Sequence, residues 1–445
     1  MTHRRARSTL LGLAVALALA DSSVVTLALP DVIRRYDVSI TDVAWVLTSY
    51  NLALAAVAVP SARLARRWPR GLCAAGLLVF AGASLACGLA TSFGMLLGAR
   101  CVQALGAAMV IATALILLAE VESSKQRAAR VWARAGILGA ALGPAVGGVL
   151  TQALGWESIF LLQAPVALLP LAALPLLPAP RLEPVPAGRP HLSANVALLL
   201  GSAALSAALF LLVILLVNGW ALDPAAAGTI VTVLPLAAIA VGALAPRIGA
   251  GITRATAGLV LIAGGLAALG LLPHAGWAWT VAPQVLVGAG LGLAVPALTE
   301  SALAGRSSQA VHGGWTIASR HAGVVLGLLV LTPLFTVSLE RNQRDAMRAG
   351  AGIVLDSEIA PLEKIEVARD VLRAIDEADG RLPDVRAALA GESERDSAEV
   401  RVVAAQLQEQ LERAVTSAFG PPFLLGAGFA LAALAVVGLT RNVEP

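Results

Sequence analysis

Residues 94–119 read GMLLGARCVQALGAAMVIATALILLA, an apolar run interrupted by a single charge, Arg100. A helix of this length, rising 1.5 Å per residue, crosses the roughly 30 Å hydrocarbon core of a bilayer. Runs of the same character occur at 8–29, 43–60, 71–90, 135–154, 158–178, 194–217, 226–246, 255–273, 278–299, 311–336 and 418–440, which makes twelve. Of the 445 residues, 58% are hydrophobic, 13% charged and 4% aromatic, and the mean hydropathy is +0.81. Soluble domains hold about 45–50% apolar residues, so a soluble globular chain, a disordered chain and a coiled coil are all excluded. In lipid every backbone polar group must be satisfied within its own segment, so the runs are read as helices and the chain as an all-α membrane protein. The first run follows Arg4, Arg5 and Arg7 but continues past Asp21 to Leu29, so it is read as a span rather than a signal peptide.

Lys and Arg side chains are retained on the cytoplasmic side during insertion. With a cytoplasmic N-terminus the inner segments hold 17 of them, among them Arg63, Arg66, Arg67, Arg70, Lys125, Arg127, Arg130 and Arg134, and the short outer connections hold Arg34 and Arg35. Both termini are therefore expected in the cytoplasm of a multi-pass protein. Two lysines against thirty arginines, with abundant alanine, suggest a bacterial cytoplasmic membrane. A connector with Pro175, Pro178, Pro180, Pro184, Pro186 and Pro190 divides the spans into two sets of six. The expected domains are a six-helix bundle over 1–178, a proline-rich cytoplasmic linker over 179–193, helices seven to eleven over 194–338, an insertion over 339–416, and helix twelve with a tail over 417–445. The insertion has a net charge of −6 and is extracytoplasmic by parity. Helical spacing of Ile365, Ala368, Leu372 and Ile375, then Val400, Val403, Leu407, Leu411 and Ala414, predicts two or more amphipathic helices there.

A charge at mid-bilayer costs roughly 2.5–3.5 kcal/mol on insertion scales. Asp21 lies ~12 Å below the outer end of span one and Arg100 ~9 Å below that of span four. Helices facing one cavity would let the two groups meet, either as a proton-coupling pair or as a permanent ion pair that fixes packing. Asn51, Gln103 and Gln163 are isolated polar residues that either line a cavity or make interhelical hydrogen bonds. His321, beside Arg320, either exchanges protons or packs. In span five Gly139, Gly143 and Gly147 recur every four residues, with Gly148 beside them and Pro144 among them. That pattern reads as a close-packed, kinked hinge or as a plain small-residue seam. Gly288 with Gly292 and Gly323 with Gly327 repeat it on a smaller scale. Cys73, Cys87 and Cys101 show no disulfide or zinc spacing. Dispersed histidines and the lack of a glycine-rich lysine loop argue against an enzyme, a metal site and an ATP-driven pump.

The sequence resembles the major facilitator superfamily, and most of all its drug:proton antiporters of the usually fourteen-helix type, here with twelve helices. Gly139-Ala-Ala-Leu-Gly143-Pro144-Ala-Val-Gly147-Gly148 resembles the antiporter motif of the fifth helix. Arg100-Cys-Val-Gln103-Ala-Leu-Gly106 is similar to the fourth-helix motif, with Ala104 where glycine is usual, and Asp21 to Pro30 to the first-helix motif with its membrane aspartate. Gly155-Trp156-Glu157-Ser-Ile-Phe160 looks like the family's entry to the sixth helix. The loop after span two departs from its motif, with Ala62, Arg66 and Pro69 at positions of glycine, aspartate and glycine. The acidic partner of the family's cytoplasmic charge lock is thus missing, and Glu120 or Glu122 are the substitutes at hand.

The resemblance implies the major facilitator fold, with Asp21 and Arg100 as proton-coupling residues and Gly139, Gly143, Pro144, Gly147 and Gly148 as the antiporter-motif hinge. The candidate cavity residues are Asn51, Gln103, Gln163 and His321. The expected function is proton-coupled export of small amphipathic or hydrophobic compounds, multidrug or metabolite efflux, by alternating access. The driving force would be a proton gradient, without cofactor, metal or nucleic acid, and the protein would work as a monomer in the bilayer. A metabolite importer or facilitator, and a transport-inactive sensor or scaffold, are the alternatives.

Overall fold

The structure, a computed structural model, describes residues 2–176, 189–305, 308–377, 383–389 and 398–441. Most of the proline-rich connector, including Pro178, Pro180, Pro184 and Pro186, lies outside the described residues. Among the described residues 12 helices are long and apolar enough to cross a membrane. In chain order the α-helices are α1 (Thr2–Thr26), α2 (Leu29–Tyr36), α3 (Ile40–Ala65), α4 (Pro69–Gly88), α5 (Phe93–Val121), α6 (Lys125–Leu154) and α7 (Glu157–Leu168) in the N-terminal half. The C-terminal half holds α8 (Leu192–Ser206), α9 (Leu212–Ile214), α10 (Pro224–Val231), α11 (Val233–Leu244), α12 (Gly251–Gly270), α13 (Ala278–Leu303) and α14 (Gln309–Asp356). The insertion and last span follow as α15 (Pro361–Glu377), α16 (Val385–Leu389), α17 (Ala398–Ala418) and α18 (Gly420–Arg441).

Short polar connections set the helix starts. Ser39, Ser92 and Ser124 each accept a hydrogen bond from the backbone N–H three residues on, capping α3, α5 and α6. Pro30 and Pro69 sit in the first turn of α2 and α4, where the missing N–H costs nothing. The first span therefore stops at Thr26 rather than Leu29, because Pro30 opens a separate short helix. Gly155, at φ +83°, ends α6 in a conformation that favours glycine. Leucines such as Leu52, Leu78, Leu142 and Leu271 are exposed on the outside of the helices, as expected where lipid rather than water is the solvent.

Small residues set the closest helix contacts. A side chain at Gly139, Gly143 or Gly147 would collide with Ala16, Ser23 or Val24, so this face of α6 lies directly on α1. The C-terminal half repeats the device where Gly323 and Gly327 of α14 lie on Leu199 and Ala203 of α8. Two seams join the halves. Gly148 meets Pro224 while Gly228 meets Pro144, crossing α6 with α10 at the end of the bundle that carries the insertion. At the opposite end Gly314 of α14 lies on Ala58 and Ala62 of α3.

Two expectations about the insertion change. Helix α14 does not stop at residue 338; its 48 residues make a rod of ~72 Å, more than twice the hydrocarbon thickness. Its protruding part packs along α17, where Asn342 donates to the Ala414 carbonyl at 3.1 Å and to Ser417 at 2.9 Å. Val354, Ile359, Val367, Val385, Val400, Val403 and Leu407 form a separate small core. The inward face of α15 is Val367 with Val371, whereas Ile365 and Leu372, chosen from spacing, are exposed. Both faces of this helix carry apolar residues, and its packing on α14 and α16 selects one.

At the terminus-bearing end Glu122, just after α5, accepts hydrogen bonds from Ser8 at 2.7 Å and Arg4 at 2.9 Å. This acid, considered as a stand-in for the missing partner of the loop after span two, binds the start of α1 instead. The Ser8 hydroxyl, against some burial, and then Arg4 hold its carboxyl below the usual carboxylate range. A depressed carboxylate contributes stability that is present above its unfolded value and is lost as pH falls through the folded value. Glu122→Gln is thus expected to cost about 0.5 kcal/mol at pH 7 and less at pH 3. Thermal unfolding at both pH values checks this, and an equal loss at both would refute it.

Candidate functional site

Five helices of the N-terminal half bury one polar cluster in the outer part of the spans, near the end of α1 and the start of α5. Asp21 on α1 and Arg100 on α5 are both fully buried, with Arg100 Nη1 donating to Asp21 Oδ2 at 2.5 Å. The same nitrogen reaches Gln103 Oε1 at 2.6 Å, and Arg100 Nε donates to the Val46 carbonyl of α3 at 3.1 Å. Gln103 Nε2 then donates to Gln163 Oε1 of α7 at 2.9 Å and to Ser84 Oγ of α4 at 2.8 Å. The guanidinium carbon lies 4.2 Å from the centroid of the Tyr50 ring, a cation–π contact strengthened by the lack of water. Tyr50 in turn donates to the Ala18 carbonyl at 3.0 Å, one turn before Asp21. Asp21 Oδ1 and Arg100 Nη2 make no hydrogen bond among the described residues.

A second contact crosses between the halves. His321 Nδ1 of α14 donates to Asn51 Oδ1 of α3 at 2.6 Å, and Asn51 Nδ2 lies 3.5 Å from Ser22 Oγ, beside Asp21. The sequence-predicted residues thus fall into two linked groups, Asp21–Arg100–Gln103–Gln163 and Asn51–His321. Of the two readings open for Gln103 and Gln163, the structure shows the interhelical hydrogen bonds, with both residues buried and bonded to Arg100, Ser84 and each other. A lone polar residue in lipid finds an internal partner when one is in reach.

Sequence reasoning missed Tyr50, Ser84 and Arg320. Tyr50 and Ser84 carry no charge and look like ordinary span residues until their neighbours are known. In the sequence Arg320 stands out only as the neighbour of His321, yet it enters a narrow cleft within the C-terminal half, between α8, α12, α13 and α14.

Residues 11–342 match the family model described as Major Facilitator Superfamily. The chain belongs to this superfamily. Its members are transporters rather than enzymes. Among curated relatives, multidrug resistance protein Stp of Mycobacterium tuberculosis (strain H37Rv) is 36% identical over 168 residues, 36% of this chain and 30% of that protein. The methylenomycin A resistance protein of Bacillus subtilis (strain 168) is 35% identical over 160 residues, 35% of this chain and 34% of the relative. Multidrug efflux pump LfrA of Mycolicibacterium smegmatis is 35% identical over 178 residues, 39% and 34% of the two chains. The chain thus spans about a third of the length of these relatives. Among solved structures, a bacterial homologue of the human lysosomal transporter Spinster, inward-facing and unoccupied, superimposes with a TM-score of 0.66 at 16% identity, covering 98% of this chain and 97% of that one. At that identity the likeness concerns the fold of the superfamily member alone.

Proposed function

We propose that this protein is a proton-coupled antiporter that exports small amphipathic or hydrophobic compounds by alternating access, with both termini in the cytoplasm of a bacterial cell. The observation that carries the reading is the fully buried Asp21–Arg100 pair. Asp21 Oδ2 is occupied by Arg100, whereas Oδ1 accepts no hydrogen bond among the described residues. A proton adding at Oδ1 neutralises the carboxylate without first displacing the guanidinium, and the charge that held α1 to α5 disappears. Arg100 keeps Gln103, the Val46 carbonyl and the Tyr50 face, so it stays with α5 and α3 while α1 is released. Because α1 lies on the glycine face of α6 and α6 crosses α10, a shift of α1 reaches the seam between the halves. The His321–Asn51–Ser22 chain is a second route between them. The efflux proteins among the relatives support the outward direction, and the arginine-rich segments at the terminus-bearing end support the orientation.

The test is substrate-induced proton release from reconstituted vesicles, followed with a pH-sensitive dye and screened over cationic dyes, antibiotics and neutral metabolites. At least one compound is expected to release protons from wild type, with the signal lost in Asp21→Asn. A signal that survives the substitution would place the proton coupling elsewhere than at Asp21, and its absence for every compound with folded, oriented protein would favour a scaffold whose ion pair only holds helices together.

A further inference from the structure

Between residues 190 and 339 the C-terminal half contains two acidic side chains, Asp223 and Glu300. Asp223 precedes the first turn of α10 at the mouth of a span, and Glu300 is paired with Arg254 at 2.9 Å. Arg320 stands ten residues into a span that starts at Ala310, or ~15 Å deep by helical rise. It makes no hydrogen bond or ion pair with any described residue, and its guanidinium keeps its charge in a protein. Leu198, Leu205, Ile262 and Leu298 surround it in the cleft, together with Ser202. The Ser202 hydroxyl also has no hydrogen-bond partner among the described residues.

An uncompensated cation at this depth is expensive even where its side chain is only partly buried, and a counter-charge lowers that cost. The protein supplies none, since the one carboxylate at similar depth, Asp21, is held by Arg100 in the other half. We infer that Arg320, with Ser202, binds the acidic head of an amphipathic organic anion, a monocarboxylate whose apolar body lies along the leucines when alternating access widens the cleft. The cleft has only about 20 Å³ of free volume in this conformation. The inference rests on the reading of the chain as an exporter and narrows its substrate class. A guanidinium takes a carboxylate through two parallel N–H bonds, and the serine adds a third donor. The position also connects binding to movement. His321, the next residue, makes the contact with Asn51 across the halves, and Gly314 of the same helix forms the other part of that seam. An anion that draws Arg320 into the C-terminal bundle therefore acts on the helix that closes against α3.

Three probes of the same shape and different charge test this: 4-butylbenzoate, 4-butylbenzamide and 4-butylbenzylammonium. They are titrated calorimetrically into the full chain in zwitterionic nanodiscs in chloride-free buffer. Wild type is expected to bind the benzoate at least about tenfold more tightly than the amide or the ammonium. Arg320→Gln should erase that preference, Arg320→Lys should keep part of it, and Ser202→Ala should weaken the benzoate a few-fold. Equal affinity for benzoate and benzamide in wild type overturns the inference without any variant having to fold. So does benzoate binding unchanged in Arg320→Gln, or a site that takes chloride and no benzoate. Adding anionic lipid to the nanodiscs separates the two sources of such a head. Competition by lipid at Arg320 places a lipid carboxylate or phosphate there and overturns the soluble-substrate form, whereas undiminished benzoate binding upholds it. If benzoate binds as expected but no compound releases protons, antiport fails alone. If cationic dyes release protons and benzoate is not preferred, this inference fails alone.

Discussion

Arg100→Gln is expected to destabilise the folded protein by about 3–5 kcal/mol, and adding Asp21→Asn to restore most of that loss. Removing one member of a buried pair leaves the other charge without water or partner, and both residues are fully enclosed here. Replacing both leaves two neutral amides of similar size that can hydrogen-bond to each other and to Gln103. The two substitutions therefore couple by more than the 0.5 kcal/mol or so that separates contacting from independent sites. Unfolding of the four proteins in mixed micelles gives the cycle directly. The double variant is also the sharpest functional control, because it is expected to be folded yet to release no protons with any compound. Additive losses would mean that the pair is not a coupled unit, and proton release by the double variant would end the coupling scheme.

Gly148→Val and Gly139→Val are expected to fail in different ways. At Gly139 any side chain falls on the backbone of Ala16, within the α1–α6 seam of one half. Overpacking there separates two helices that must fold together, at a cost of about 1–3 kcal/mol or more, and a lower yield of folded protein follows. At Gly148 the obstacle is the Pro224 carbonyl of the opposite half. Each half still folds, but the insertion end no longer closes. A penalty of about 1.4–2.8 kcal/mol on that closed state shifts its population ten- to a hundredfold. Turnover should fall by a similar factor while thermal stability changes little. Alkylation of a cysteine placed on α10 near Pro224 should rise in Gly148→Val and not in Gly139→Val. Equal alkylation in both would show that the Gly148 contact does not close the path.

The depth of Asp21 and Arg100 was legible from residue counting, and so was their pairing once one cavity was assumed, because a charge in lipid has few affordable positions. The glycine face of α6 was legible for a related reason, since four-residue spacing places Gly139, Gly143 and Gly147 on one line along a helix. Which helix that line meets was not. Packing between apolar helices is weakly directional, so α1 for Gly139 and α10 for Gly148 emerged only with the fold. The same holds for Gln103, whose partners come from α4, α5 and α7, and for Asn51, whose partner is 270 positions away.

The sequence alone determined the solvent, the twelve crossings and the level of each polar group within them, because hydropathy and helical rise are properties of a segment by itself. The tertiary structure decided the rotation of each helix about its axis. It thereby turned Gln103 and Gln163 into supports for Arg100, joined His321 to Asn51, and left Arg320 facing leucines without a counter-charge. It also extended α14 far beyond the bilayer, where that rod and α16 cover the apolar faces of α15 and α17. Contacts between distant segments depend on which neighbours share a boundary, and no local pattern of residues specifies that.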